Sequence, residues 1–142
     1  MHKQLSNFAE LRLVEVDGTD NQTHGVDTAN YDGVLFMVRA ASADLEVHAI
    51  QDDSLDGSDE LLDDASDIED SKVEADNIGE VIWIDIYRPD ERYVAIEFND
   101  DSHIDNDNVF ALRYHSRNRP IDNNVAEAAK GTQLVSPDEG TP

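Results

Sequence analysis

The apolar residues of this chain fall into short blocks of strand length, and this pattern limits the folds that the chain can adopt. Residues 81–87 form the clearest block. One face carries three isoleucines and the other carries the odd-numbered residues: Ile82, Ile84 and Ile86 against Val81, Trp83, Asp85 and Tyr87. A period of two residues predicts a β-strand. No apolar pattern is long enough for the helices that cover a parallel sheet, so we expect antiparallel strands.

The remaining apolar blocks predict further short strands at residues 11–16, 34–38, 44–50, 92–98 and 109–114. The block at 34–38 is apolar on both strand faces, which predicts a central strand that is buried on both sides. The short link that contains Pro89 predicts an antiparallel hairpin between the strands on either side of it. Six or more short strands with turn signals between them indicate an all-β fold, either an antiparallel sandwich or a barrel, and of the two we predict the antiparallel β-sandwich.

Acidic residues dominate the segment 52–76, which holds twelve carboxylates and a single base, Lys72. We predict a long acidic surface loop, with Leu61, Leu62 and Ile68 touching the core and room for one helical turn. A loop of this length in a compact domain is usually functional or mobile. The predicted organisation is an N-terminal arm at 1–10, a β-sandwich domain at 11–116 and a polar C-terminal tail at 117–142.

The formal charge of the chain is −23, from 10 basic and 33 acidic residues. Such a charge argues against nucleic acid as a partner and against docking on anionic membranes. The acidity indicates a highly soluble exterior, and it gives less support to a saline origin of the protein. The chain has no cysteine, so disulfides, thiolate metal sites and cysteine nucleophiles are excluded. Residues 1–10 lack the apolar core of a signal peptide.

Two acidic motifs have spacings found in metal sites. The motif Asp52-x-Ser54-x-Asp56-Gly57-Ser58-x-Glu60-x-x-Asp63 follows the order of oxygen ligands and glycine in a calcium loop. An ordinary solvated loop is the alternative, because the preceding segment reads as a strand and the twelfth position is Asp63 rather than Glu. The second motif alternates Asp101, His103, Asp105 and Asp107, but it lies in a polar stretch that reads as a hairpin tip. We therefore predict no metal and no cofactor.

Catalytic patterns are weak in this sequence. The histidines at 2, 24, 48, 103 and 115 show no ligand spacing, and we expect surface positions for them. Asp85 lies within an apolar strand, where a buried carboxylate has a raised pKa. The simpler interpretation is a hydrogen bond or an ion pair, with Arg92 as a partner. There is no nucleophile elbow and no glycine-rich phosphate loop, so we expect a protein that is not an enzyme.

The order of several segments carries a family resemblance over about residues 23–123. The motif Val26-Asp27-Thr28-x-x-Tyr31-Asp32 leads into the apolar strand at 33–38. A second strand, at 45–49, precedes the loop with Asp56-Gly57. Ile84-Asp85-Ile86 is followed by Arg92-Tyr93-Val94, and Arg119-Pro120 comes soon after the closing strand. In this order the chain resembles the small all-β decoration, or cement, proteins on the heads of tailed bacteriophages. It departs from them in its acidity, its enlarged loop at 52–76 and its tail beyond residue 124.

The resemblance implies a jelly-roll-like sandwich on the outer surface of an icosahedral capsid. Such a virion protein stabilises the capsid by bridging neighbouring major capsid proteins, and it acts as a dimer or trimer. Its partners are then the major capsid protein and copies of itself. On this basis we expect capsid or subunit contacts in the two ends of the chain, at Lys3, Phe8, Arg117, Arg119 and Pro120.

Two other functions remain open from the sequence. The first is a β-sandwich binding module that calcium stabilises, for example one that recognises glycans on a host surface. It predicts a higher melting temperature in millimolar calcium. The second is an acidic DNA mimic that inhibits a basic nucleic-acid enzyme, with affinity that depends strongly on salt.

Overall fold

The protein is an all-β sandwich of two antiparallel sheets, as predicted. A computed structural model describes residues 9–57 and 60–116, apart from the side chain of Asp107. The strands in chain order are β1 (Glu10–Leu13), β2 (Val16–Asp17), β3 (Gln22–Thr23), β4 (Val26–Asp27), β5 (Gly33–Ala40), β6 (Glu46–Asp52), β7 (Ser66–Asp67), β8 (Val73–Glu74), β9 (Val81–Tyr87), β10 (Tyr93–Phe98) and β11 (Ile104–Tyr114). A 3-10 turn, Asp101–His103, precedes β11. The predicted jelly-roll winding stays a prediction.

The two sheets differ in the number and order of their strands. The first sheet has four strands in the order β1-β11-β5-β9, and we call it sheet A. The second, sheet B, has the order β2-β3-β10-β6-β7, with β4 paired to β10 and β8 paired to β6. The hydrophobic core lies between the sheets. Its largest fully buried side chains include Phe36, Leu45, Ile96, Val34, Val38, Val47, Val94 and Val109.

Strand β5 is central in sheet A, but only one of its faces lies in the core. Val34, Phe36 and Val38 are buried, whereas Leu35 and Met37 are half-buried on the outer side of the sheet. The prediction of a strand buried on both faces is therefore wrong. Among the described residues, no second layer covers the outer side of sheet A. The apolar outer positions of β5 instead belong to the surface.

The alternation in β6 and β9 is confirmed, but the partner predicted for β9 is wrong. β9 pairs with β5 in sheet A, and β10 pairs with β6, β3 and β4 in sheet B. The link between β9 and β10 crosses from one sheet to the other, instead of making a hairpin. Arg88, at a φ of 53°, donates its N–H to Asp32, while Gln51 Oε1 accepts from the N–H groups of Asp90 and Glu91. Packed sheets lie only about 10 Å apart, so a link this short can span them.

The acidic segment 52–76 folds back onto sheet B. The short strands β7 and β8 both pair with β6. Leu61 and Leu62 are buried and Ile68 packs against the core, as predicted. Its described residues form no helical turn. The neighbouring carboxylates of Asp63 and Asp64 are exposed.

Strand β11 begins earlier than predicted, within the segment that reads as a polar tip. Its pairing with β5 shifts register between Ile104 and Val109. At its far end, Arg113 closes one end of the sandwich. The guanidinium stacks on the ring of Tyr31 at 4.3 Å, ion-pairs with Glu10 and donates to the backbone oxygen of Asp27 at 2.7 Å.

Candidate docking surface

The outer side of sheet A is an apolar and aromatic surface. Strand alternation places ten large side chains on it, and the register aligns them in rows across the four strands. We call this set the outer face: Leu11, Leu13, Leu35, Met37, Val81, Trp83, Tyr87, Phe110, Leu112 and Tyr114. One complete row runs Leu13, Phe110, Met37, Trp83, and the next runs Leu11, Leu112, Leu35, Asp85.

The most exposed part of the outer face is the strand β9. Trp83, the one tryptophan of the chain, is 64% exposed, Val81 is 60% exposed and Tyr87 is 57% exposed. Large apolar side chains are common singly on protein surfaces, but a contiguous patch marks an interaction site. The outer face is such a patch, because its members neighbour one another on adjacent strands.

The outward positions of β5 and β9 carry two charged side chains. Arg39 Nη1 lies 3.2 Å from Asp105 Oδ2, so the charge at one end is paired. Asp85 accepts a 2.6 Å hydrogen bond from the Tyr114 hydroxyl on its Oδ1. Partial burial and this bond to a carboxylate raise the pKa of Tyr114 above its ordinary value of 10.0. The outer face is therefore almost neutral in a protein of charge −23.

Asp85 does not occupy the environment that its sequence position suggests. Its carboxylate is exposed on the outer face and bonds to Tyr114, not to Arg92. Arg92 instead makes a bidentate pair with Asp27, at 3.0 Å from Nε to Oδ1 and 2.7 Å from Nη2 to Oδ2. The Arg92 hydrogen bond lowers the pKa of Asp27 below its usual range. This pair ties β4 to the start of β10.

The outer side of sheet B has the opposite character. Part of the acidic segment covers it, and Leu62 packs on Ile50 and Ala95 in a small cluster of its own. The buried side chain of Gln22 holds this segment in place. Its Nε2 donates to the Leu62 carbonyl at 3.3 Å and its Oε1 accepts from the Leu62 N–H at 3.1 Å. The sandwich thus has one apolar side and one acidic side.

The calcium-like motif is partly described, since residues 58 and 59 lie outside the described residues. The Asp52 carboxylate accepts from the backbone N–H groups of Ser54 and Asp64, at 3.2 and 3.1 Å, which is the role of a turn-forming aspartate. Repulsion from Asp56 is the main cause of a raised pKa at Asp63. Within residues 9–57 and 60–116, no group of three or more histidine, aspartate or glutamate side chains is arranged to hold a metal.

The second motif is dispersed rather than gathered. Asp101 and His103 lie in the 3-10 turn, and Asp105 follows in β11. Asp105 Oδ2 accepts from Arg39 and from Asn108. Three other histidines lie beside carboxylates: His24 is 3.6 Å from Glu60, His48 is 3.3 Å from Asp67, and His115 is 3.5 Å from Asp32.

The contacts predicted at the two chain ends are outside the described residues. These are Lys3, Phe8, Arg117, Arg119 and Pro120. The outer face was missed as a site by the sequence reasoning. Its signal was present in two places, the second apolar face of the strand at 34–38 and the odd-numbered residues of 81–87.

Comparison of the chain with protein-family models, with curated proteins and with solved structures finds no match. In the part of the chain that the structure describes, no helix has the length and apolar character needed to cross a membrane.

Proposed function

We propose that this protein is a structural component of a bacteriophage virion, which binds the outer surface of the capsid and stabilises it by bridging major capsid proteins. The observation that carries the proposal is the contrast between the two sides of the sandwich. An almost neutral apolar face suits a protein surface as its partner, and an acidic opposite side suits solvent. This function needs no catalytic group, so we infer that the protein is not an enzyme.

The size of the outer face supports binding by several copies. Four strands about 4.8 Å apart, with a rise of about 3.3 Å over seven residues, give a face of roughly 400 Å². A standard interface covers about 800 Å² per partner. One copy therefore supplies about half of a stable interface through this face. A dimer or trimer on a repeating capsid surface gains the rest by multivalency, because the second contact becomes intramolecular.

The aromatic residues of β9 would contribute most of the binding free energy. An aromatic side chain buries about 150–250 Å² when fully covered, so Trp83 and Tyr87 together leave on the order of 200 Å² of such surface in water. Binding hot spots are enriched in tryptophan and tyrosine. The contacts expected at Lys3, Phe8, Arg117, Arg119 and Pro120 would add to this face and stay predictions.

The family resemblance directs the choice of partner toward the phage capsid. The order of segments from Val26 to Pro120 resembles that of decoration proteins, and such a protein needs a rigid sandwich with one surface adapted to the shell. We propose the outer surface of the virion as its location, with the acidic side directed away from the capsid. The described residues of segment 52–76 that are exposed would then face solvent.

The first test is intact-mass analysis of purified virus particles from the source. We expect a component of 15.8 kDa at a copy number comparable to that of the major capsid protein. Absence of this component from the particles overturns the proposal. Salt-dependent binding to basic DNA-binding proteins would then favour the DNA mimic. A higher melting temperature in millimolar calcium would favour the glycan-binding module.

The second test examines the face itself, by rebinding purified variants to particles that have been stripped of the protein. Trp83→Glu and Leu13→Glu should each lower occupancy at least tenfold, because each puts a charge on the outer face. Ile78→Glu is the matched control, since Ile78 is 74% exposed and lies off this face, between β8 and β9. Equal occupancy for all three variants would show that another surface binds the capsid.

A further inference from the structure

Strand β9 forms an edge of sheet A, and no described strand pairs with the backbone edge of β9 that points away from β5. Of the described strands, only β5 pairs with β9. Ala40 donates its N–H to Glu80 and Arg88 donates to Asp32, and these bonds fix which residues of β9 face β5. By the alternation of an antiparallel pair, the backbone groups of Ile82, Ile84 and Ile86 bond to β5. The N–H and C=O groups of the alternate residues, Val81, Trp83, Asp85 and Tyr87, therefore point away from the sheet.

An open groove of about 650 Å³ runs along this edge. One wall is β9, and the other is the segment 68–74 at the edge of sheet B. The floor is apolar, because Ile68 and Val73 face the isoleucine side of β9. The groove thus combines an apolar floor with a row of unpaired backbone donors and acceptors. Both are what an extended peptide requires when it adds a strand to a sheet.

The rim of the groove is acidic. None of the residues that line the groove is a lysine or an arginine. Five of them are carboxylates: Glu69, Asp70, Glu74, Glu80 and Asp85. Lys72 does not line the groove, but its ammonium pairs with the rim carboxylate of Glu74 at 3.1 Å and with Glu46 at 2.8 Å, so four of the five rim carboxylates have no lysine or arginine partner in the part of the chain that the structure describes. Natural proteins usually block an exposed edge with lysine, proline or a bulge. β9 contains no lysine or proline, and its edge is uncovered among the described residues.

We propose that this groove accepts an extended, basic segment of a partner protein as an additional strand beside β9. The backbone of that segment would pair with Val81, Trp83, Asp85 and Tyr87. Its apolar side chains would lie on Ile68 and Val73, and its lysines or arginines on the outer side would contact Asp85 and the aromatic rings of β9. The capsid proposal is not a premise of this inference. The inference specifies the chemistry of the bound segment and does not specify which protein supplies it.

A second copy of the chain is a poorer occupant of the same edge. Pairing β9 with β9 of another copy would bring two acidic rims together, and like charges in proximity are destabilising. A basic strand instead neutralises the rim as it pairs.

The test uses an eight-residue peptide of alternating lysine and valine, acetylated and amidated at its ends, with the full-length protein. Trp83 is the only tryptophan, so its fluorescence reports directly on the edge. Amide hydrogen exchange gives the second readout. We expect the amides of Val81, Trp83, Asp85 and Tyr87 to exchange at least tenfold more slowly with the peptide bound. Those of Ile82, Ile84 and Ile86 should be protected with and without it.

Two controls separate strand pairing from attraction between opposite charges. The first is the same peptide with alternate backbone nitrogens methylated, which keeps the charge but removes the donors; it should bind at least tenfold more weakly. The second compares Asp85→Asn with Asp44→Asn, since each removes one charge from an exposed position and only Asp85 lies where the lysines of the bound peptide make contact. Only the first should weaken binding.

Three results would overturn the proposal. Equal affinity for the methylated peptide would show attraction by charge alone. Binding of the unmethylated peptide without slower exchange of the four edge amides would place the peptide elsewhere. Protection of these amides in the free protein that rises with its concentration would assign the edge to a second copy.

Discussion

The Tyr114 hydroxyl lies over Gly33 and donates a 2.6 Å hydrogen bond to Asp85, which joins β11 and β9 across the outer side of β5. The contact is possible because the residue between them has no side chain. A Cβ atom at Gly33 would stand 2.3 Å from Tyr114 Oη and 2.6 Å from the Ile86 carbonyl oxygen. Gly33, at the start of β5, therefore leaves space for the Tyr114 side chain to cross β5 and reach Asp85 on β9.

Replacing Gly33 with alanine should destabilise the protein. The new methyl group meets both a side chain and a backbone oxygen, so the neighbouring strands must move apart, and such overpacking costs about 1–3 kcal/mol. Urea unfolding at pH 7 measures the change. Gly57→Ala is the control, because a Cβ there has no heavy atom within 4 Å, and we expect a change below about 0.5 kcal/mol. Equal stability of the two variants would refute the crowding at Gly33.

The hydrogen bond between Tyr114 and Asp85 should make stability depend on alkaline pH. Partial burial and the carboxylate raise the pKa of Tyr114 above its ordinary value of 10.0. The folded protein then keeps a proton that the unfolded chain loses, so stability is complete below pH 10 and falls as the pH rises above it. In Tyr114→Phe this part of the fall should be absent.

Urea unfolding of both proteins between pH 7 and pH 11.5 tests this dependence. Below pH 10 the two curves should be parallel, with the variant less stable by about 1 kcal/mol from the lost hydrogen bond. Above pH 10 they should converge. Tyr31 also has a raised pKa, mainly from burial, but it is present in both proteins and cancels in the difference. Curves that stay parallel over the whole range would contradict the assignment.

Gln22 should control how firmly the acidic segment is attached to sheet B. Its buried amide bonds to both the N–H and the carbonyl of Leu62, so Gln22→Ala leaves two buried backbone groups without partners. We expect a loss of about 1–3 kcal/mol and much faster hydrogen exchange of the Leu62 amide. Gln51→Ala is the control, because Gln51 bonds to backbone N–H groups of an exposed link. Unchanged exchange at Leu62 would exclude this role of Gln22.

The sequence was sufficient to predict the strands β6, β9 and β10 and the buried face of each. In β9 the isoleucines alternate with other residues, and burial of alternate positions follows directly from the geometry of a strand. Strand partners were harder to predict. The link from Arg88 to Arg92 is short enough for a hairpin and also long enough to cross between two packed sheets. The Asp32 carbonyl and the Gln51 side chain, both remote in sequence, accept hydrogen bonds from backbone N–H groups of this link and favour the crossing.

The docking surface was missed for a related reason. An apolar second face on a strand has two explanations, a second layer of the same protein or a surface that another molecule covers. Leu35 and Met37 were assigned to the first explanation, which is the commoner one for strands apolar on both faces. Only the arrangement of β1, β11, β5 and β9 in one sheet, without a described layer outside it, favours the second explanation.

The negative charge of Asp63, in the acidic segment, should lower the stability of the folded protein. Repulsion from Asp56, followed by partial desolvation and the carboxylates of Asp64, Asp52 and Asp20, raises the pKa of Asp63. The folded state then binds the proton more tightly than the unfolded chain, so stability falls as the pH rises through this range and the charge is destabilising at pH 7.

Asp63→Asn should raise the urea midpoint at 10 mM salt. Because salt screens such repulsion over about 3 Å at 1 M, against about 30 Å at 10 mM, the gain at 1 M should be less than about half as large. Asp44→Asn, at an exposed position on the link between β5 and β6, measures the general benefit of removing one charge from a protein of −23. A gain at Asp63 no larger than that at Asp44 would show that the cluster around Asp63 does not repel more than the rest of the surface.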